Sequence, residues 1–221
     1  MNVHFHEATL ADFHLYHDDR TESILEGAKR AFAEKGFDGA SMQDIARAAG
    51  MSAGNFYRYF PSKNAIVEAM IARDLASVKA DFQRIDAAAD PTRALIEAFA
   101  QRIDTLDCTD GPLWSEIDAA AVRRPEIALT VAAMEHEICM FLTAVFAKIA
   151  GITLERSREL HSARAAYLIV LFKGAAQLFS RKCSSIPSET RAELRDLVLA
   201  SMSQTLAEIA TTPKDNKERN E

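Results

Sequence analysis

The stretch SMQDIARAAGMSAGNFYRYFPSK, residues 41–63, decides the fold. Its period gives a short helix opening at Ser41 with Ile45, Ala46 and Ala49 on one side, a break at Gly50, and a second short helix from Ser52. The pattern is helix, tight turn, helix. Ser41 suits the N-cap, because its hydroxyl can accept from first-turn N–H groups that have no partner within the helix, and Asp44 stands where a capping box places its reciprocal acid. Gly50 offers the left-handed conformation that closes the first helix, and Ser52 caps the second. On that second helix Met51, Phe56 and Phe60 are the only apolar anchors, whereas Asn55, Tyr57, Arg58 and Tyr59 are hydrogen-bonding or aromatic. Such a helix is suited to insertion into a groove.

Working outward, a preceding helix runs from about Thr21 to Lys35 with Ile24, Leu25, Ala28, Ala31 and Phe32 in one stripe and Gly36 as its stop. That stripe is expected to pack on Ile45, Ala49, Phe56 and Phe60 as a three-helix head. Pro61 breaks the chain, Ser62 caps, and a fourth helix begins at Lys63, continuing through Val67, Ile71, Leu75, Val78, Phe82 and Ile85. Asp90-Pro91 starts a fifth, with Leu95, Phe99, Ile103 and Leu106 inward. Thr109-Asp110-Gly111-Pro112 reads as a loop before a sixth helix, about Leu113 to Arg123. A seventh runs from Pro125 to Gly151 with Ile127, Val131, Met134, Ile138, Phe141, Val145 and Ile149 in line. An eighth spans about Leu154 to Cys183 and a ninth about Ser188 to Ala210. The class is all-α with about nine helices and no strand or repeat. Four segments are expected: a flexible arm (1–19), a helix-turn-helix domain (20–64), a second helical domain (65–211) and a disordered tail (212–221).

The net charge of −6 looks wrong for a partner of DNA until it is divided. Residues 1–19 hold four acids and no Lys or Arg, residues 20–64 seven bases and five acids, and the remainder 19 bases and 23 acids. Only the helix-turn-helix segment is positive, and attraction to phosphate depends on local charge. Its excess of two is modest and suits a binder that works as two copies. His4, His6, His14 and His17 in the arm lack the i, i+4 spacing of a helical metal site, so a mobile acidic arm is expected there and no metal or cofactor. The chain shows no unbroken apolar run of about 18 residues and its start lacks the features of a signal peptide. With three well-separated cysteines, Cys108, Cys139 and Cys183, this fits a reduced cytoplasm and no membrane.

Three matches taken together carry a resemblance: RTESILEGAKRAFAEKGF (residues 20–37), SMQDIARAAG (41–50) and MSAGNFYRYFPSK (51–63). Over roughly residues 20–70 the chain resembles the tetracycline-repressor (TetR) family of transcriptional regulators. The resemblance implies that the second helix of the motif enters the major groove, where base edges differ. By position it implies Ala53, Gly54 and Tyr57 as the base-facing set, Asn55, Arg58 and Tyr59 towards the backbone or groove wall, and Gln43 able to reach a base. Arg58 is equally suited to reading guanine. Lys63 at the head of helix four is implied as a phosphate contact, as are the hydroxyls of Ser41 and Ser52, which also serve as caps.

Helices eight and nine carry small residues, Ala165, Ala166, Gly174 and Ala175, and the stripe Leu194, Leu197, Val198, Ser201, Met202, Thr205 and Ile209. The family pairs these helices with a second copy, and a single small head makes too few contacts for tight selective binding. A homodimer through residues 154–183 and 188–210, reading a near-palindromic duplex, is the expectation. Phe99, Trp114, Met134, Met140, Phe141 and Phe172, with Glu137 as a polar anchor, can line an apolar pocket for a small-molecule effector, although each alone reads as core or surface.

The function expected is a ligand-responsive homodimeric repressor. The alternatives are a DNA-packing protein without effector and an all-helical enzyme. Against the enzyme, His136-Glu137 is followed by Ile138, Cys139 and Met140 and not by a second His, and no G-x-S-x-G, Walker or paired-Cys motif occurs.

Overall fold

The computed structural model describes residues 19–106, 110–180 and 186–214. Helices in chain order are α1 (Asp19–Gly39), α2 (Met42–Ala48), α3 (Ala53–Tyr59), α4 (Lys63–Ala87), α5 (Pro91–Asp104), α6 (Asp110–Arg123), α7 (Pro125–Ala150), α8 (Leu154–Phe179) and α9 (Ser188–Ala210). No strand occurs among the described residues. The fold class is all-α, as expected. All of the expected arm except Asp19, and the tail beyond Lys214, lie outside the described residues, as do Cys108 and Cys183.

Local chemistry places most boundaries. Asp90 caps α5, its Oδ1 accepting from Arg93 N–H at 3.0 Å, with Pro91 in the first turn where a missing N–H costs nothing. Ser62 Oγ accepts from Ala65 N–H at 3.2 Å to open α4. Gly151, at φ 66°, ends α7. Three boundaries differ from expectation. Helix α1 resumes after a non-helical break at Gly36, the expected stop, and ends at Gly39. Helix α6 begins at Asp110 and not at Leu113, because Pro112 is tolerated in a first turn, and Gly111 is there for packing: a Cβ on it would lie 2.9 Å from Ser180 Cβ. Helix α8 ends at Phe179, where Arg191 Nη2 donates to the freed carbonyls of Leu178 (3.5 Å) and Phe179 (2.7 Å).

The chain forms two compact units. One comprises the residues up to Asp74 together with Glu116–Thr130, and the other Leu75–Ser115 with the residues from Val131 on. In the first, Ile24, Ala28, Phe32, Ile45, Phe56, Phe60 and Ile66 are buried, so the expected stripe of α1 does meet the helix-turn-helix. Helices α1 and α2 approach so closely at Gly27 that a Cβ there would lie 2.8 Å from Ala49 N.

The second unit is built around Leu95, Leu142, Phe146, Leu168, Met202 and Leu206. Helix α7 is long and apolar enough, by length and composition, to cross a bilayer. Glu135 and Glu137 interrupt its apolar run, as expected, without much lowering the average. Its Ile127, Val131, Met134, Leu142, Val145 and Phe146 are buried inside the protein, and Glu135 accepts from Lys173 Nζ at 2.8 Å. That is the pattern of a core helix.

His161 of α8 is buried against the Phe146 ring, and its Nε2 lies 3.2 Å from Thr212 Oγ1. Desolvation, with Arg164 as a smaller contributor, holds its pKa below the ordinary 6.5. A base with a depressed folded pKa contributes stability that is present above the unfolded value and lost as pH falls through it, because the unfolded chain then takes up a proton that the folded one refuses. Between pH 7.5 and 5.5 the thermal midpoint is expected to fall, and in His161→Gln that fall is expected to be shallower.

Candidate nucleic-acid interface

Helix α2 starts with a complete capping box. Ser41 Oγ accepts from Asp44 N–H at 3.1 Å, and Asp44 Oδ2 accepts from Ser41 N–H at 3.0 Å. Lys35 Nζ donates to Asp44 Oδ1 at 2.6 Å, and this bond, with those from Ser41, holds the Asp44 carboxyl far below the usual carboxylate range. Gly50 turns the chain at φ 65°, and Ser52 occupies the N-cap of α3. Its hydroxyl makes no cap hydrogen bond, unlike the expected cap, and the residue is exposed.

Helix α3 is held from one side only. Phe56 and Phe60 are buried with their ring centroids 6.4 Å apart. Gly54, Asn55, Tyr57 and Arg58 are exposed, while Ala53 and Tyr59 are half-buried. Tyr57 is 49% exposed, its ring set edge-on to Phe56. Ser41, Gln43 and Ser52 are exposed as well. The short motif therefore brings the expected DNA-facing residues to the surface of one unit, with no internal task found for most of them.

Gly54 is informative because nothing lies within 4 Å of where its Cβ would be and its φ is not positive. Neither packing nor backbone requires a glycine there. Gly54→Ala is expected to raise folding stability by about 0.5 kcal/mol while weakening selective DNA binding. Thermal unfolding and duplex titration on the same sample check the opposite signs.

Lys63 is placed differently from the other candidates. Its Nζ donates to Phe37 O at 2.6 Å and Asp38 O at 3.2 Å and lies 4.9 Å from the centroid of the Phe37 ring. Two of its three donors thus hold the last turn of α1, just ahead of α2, and burial lowers its pKa. Three further residues that contact this turn carry no periodic sequence signal of their role. Glu116 accepts from Phe37 N–H at 3.0 Å, and Arg123 and Arg124 donate to Asp38 at 2.9 and 2.7 Å. A contact across about 80 residues leaves no mark on periodicity; the Arg123-Arg124-Pro125 run was the only visible signal.

The residues expected to line an effector pocket all lie in the second unit. Phe99 and Phe172 meet edge to face at 5.4 Å beside Ile103, Ala175, Phe179 and Val198. Phe141 packs on Phe82 at 5.3 Å, and Met134 is buried. Trp114, Glu137 and Met140 are half-buried. A polar pair between α7 and α8 is Glu135 with Lys173, two residues before the expected Glu137 and on a different face of α7. A shallow groove of about 190 Å³ in this unit is lined by Asp81, Arg84, Ile85, Ala94, Glu97, Ala98 and Gln101, and includes none of the expected residues.

A capped helix, a glycine turn and a second helix held by two phenylalanines with its polar face outward define a helix-turn-helix DNA-binding head. Residues 24–70 match the family described as Bacterial regulatory proteins, tetR family. Over these residues the head is that of the tetR family of bacterial regulatory proteins. It is similar to the transcriptional regulator UidR of Escherichia coli, 33% identical over 113 residues, which make up 48% of this chain and 53% of UidR. It is also similar to the transcriptional repressor DhaR of a Mycobacterium species, 36% identical over 92 residues, or 39% of this chain and 44% of DhaR. The matched stretch thus spans about half the length of these curated relatives. Among solved structures, Salmonella enterica GusR superposes with a TM-score of 0.68 at 24% identity, covering 89% of this chain and 99% of that one, a likeness of fold.

Proposed function

We propose that the chain is a homodimeric repressor that lays α3 in the major groove of a near-palindromic operator and leaves it when a small molecule binds the second unit. The observation that carries the reading is the exposed face of α3, where Gly54, Asn55, Tyr57 and Arg58 stand clear of the protein on a helix anchored by Phe56 and Phe60. Base-edge contact needs side chains in that condition. Ala53, Gly54 and Tyr57 face bases, with Gln43 reaching from α2, and Asn55, Arg58 and Tyr59 line the groove. Ser41, Ser52 and the remaining donor of Lys63 contact phosphate.

Pairing is supported by an apolar face on α8 and α9 left open by the described residues: Tyr167, Val170 and Leu197 are 42%, 68% and 60% exposed. Two heads on a two-fold axis read half-sites ~34 Å apart or multiples of it. The effector reading rests on the aromatic pair Phe99 and Phe172 with Trp114, Met134, Met140 and Phe141 in the same unit, and on Glu137 as a polar group among them. A cytoplasmic regulator fits these parts.

Selection of duplexes from a random library by the full chain tests the DNA reading. Enrichment of a two-fold symmetric sequence is expected; binding of all duplexes with one affinity would instead show a packing protein. Native mass spectrometry of the purified chain, looking for a retained small molecule whose addition releases the selected duplex, tests the effector.

A further inference from the structure

We infer that Glu116, on α6 and far in sequence from the helix-turn-helix, is a positioning residue for sequence-selective DNA binding, acting with Arg123 and Arg124 on the segment Gly36-Phe37-Asp38. The inference rests on the DNA-binding reading and goes beyond it, because it places part of the DNA-reading machinery outside residues 20–64.

The argument begins with a backbone break. Gly36 has φ 73° and ψ 164° inside α1, so the helical ladder is interrupted there and the next N–H, that of Phe37, is turned away from its usual acceptor. Phe37 is buried, and a buried unpaired N–H is costly. Glu116 Oε2 supplies the acceptor at 3.0 Å. The fit is close on a second count: a Cβ on Gly36 would lie 3.1 Å from the same oxygen, tighter than an ordinary contact, so the carboxylate is seated directly over the glycine. Asp38 is then gripped by Arg123 and Arg124, and the Arg124 guanidinium lies 5.1 Å from the Phe37 ring centroid.

What this segment orients gives the contacts their meaning. Ala40 N–H donates to Gly36 O at 3.1 Å, Ala40 is fully buried, and Ser41, the next residue, caps α2. The connection has no slack: a displacement of Phe37 is carried into the first turn of α2 and, through the Gly50 turn, to α3. Lys63 on the two carbonyls of Phe37 and Asp38 ties the same point to the start of α4. Direct base readout depends on side chains meeting base edges within hydrogen-bond distance, so a small rotation of α3 costs selectivity before it costs attraction to phosphate.

The test compares Glu116→Leu and Glu116→Gln with the wild-type full chain, using the duplex the wild type selects and a random duplex of the same length. Glu116→Leu leaves Phe37 N–H without an acceptor and is expected to lower affinity for the selected duplex about tenfold, with random-duplex affinity and salt slope unchanged. Glu116→Gln keeps a carbonyl acceptor and is expected to restore selectivity. If Glu116→Leu does not fold, Arg123→Gln/Arg124→Gln, whose side chains are half-exposed, takes its place with the same expected split. Undiminished selectivity in the leucine or double-arginine variant overturns the inference, as does a loss shared equally by both duplexes, which marks a merely structural role. A wild type that distinguishes no duplex fails at an earlier point and removes the DNA reading itself.

Discussion

Tyr57→Ala is expected to lower affinity for the selected duplex by between about tenfold and a hundredfold, the range set by losing one well-placed base-edge contact, with the thermal midpoint unchanged. The expectation of intact folding follows from position. Tyr57 is 49% exposed, with its ring edge-on to Phe56 at 6.5 Å, whereas the buried Phe56 and Phe60 carry the anchoring of α3. Fluorescence anisotropy with the selected and a random duplex, alongside circular dichroism melting, measures both. Tyr57→Phe separates hydroxyl from ring: an apolar contact with a thymine methyl survives that change, and a hydrogen bond does not. Unaltered discrimination between duplexes in Tyr57→Ala would show that α3 faces something other than base edges.

Much of this site was legible in the sequence because its determinants are local. Caps, a turn glycine and a two-point apolar anchor lie within 23 consecutive residues, 41–63, and each acts on neighbours one helical turn away. The capping box of Ser41 and Asp44, the left-handed Gly50 and the burial of Phe56 and Phe60 could therefore be read from spacing alone. Residues whose task depends on distant chain could not. Gly27 looks like an ordinary helix-weakening glycine, and Gly111 like a loop residue, until the ends of α2 and α8 are seen against them. Lys63 looks like a pure phosphate ligand until its ammonium is found on two carbonyls, and Glu116 has no local pattern that marks it. The polar partner in the second unit shows the same limit. Periodicity puts Glu135 and Glu137 on different faces of α7, but only packing decides that Glu135 is the one to meet Lys173.

Leu197→Glu is expected to convert a dimer into a monomer and to lower affinity for a near-palindromic duplex by at least about a hundredfold, since burying an unpaired carboxylate in an apolar interface costs several kcal/mol. Within one chain the side chain is 60% exposed on α9, so the substitution removes little internal packing and the monomer keeps its helices. Val170→Glu on α8, at 68% exposed, is expected to do the same independently. Tyr167 is the useful contrast. Its hydroxyl lies 2.5 Å from Ser201 Oγ within the chain, so Tyr167→Phe removes a link between α8 and α9 without placing charge on the face, and the dimer is expected to persist. Sedimentation velocity at micromolar concentration reads the assembly, and titration with the full duplex and with one half-site reads its consequence. Loss of the pair should abolish the gain of the full duplex over the half-site while leaving half-site affinity in place, because each head still carries its own α3. A Leu197→Glu chain that sediments as a dimer would place the pairing surface elsewhere on the molecule.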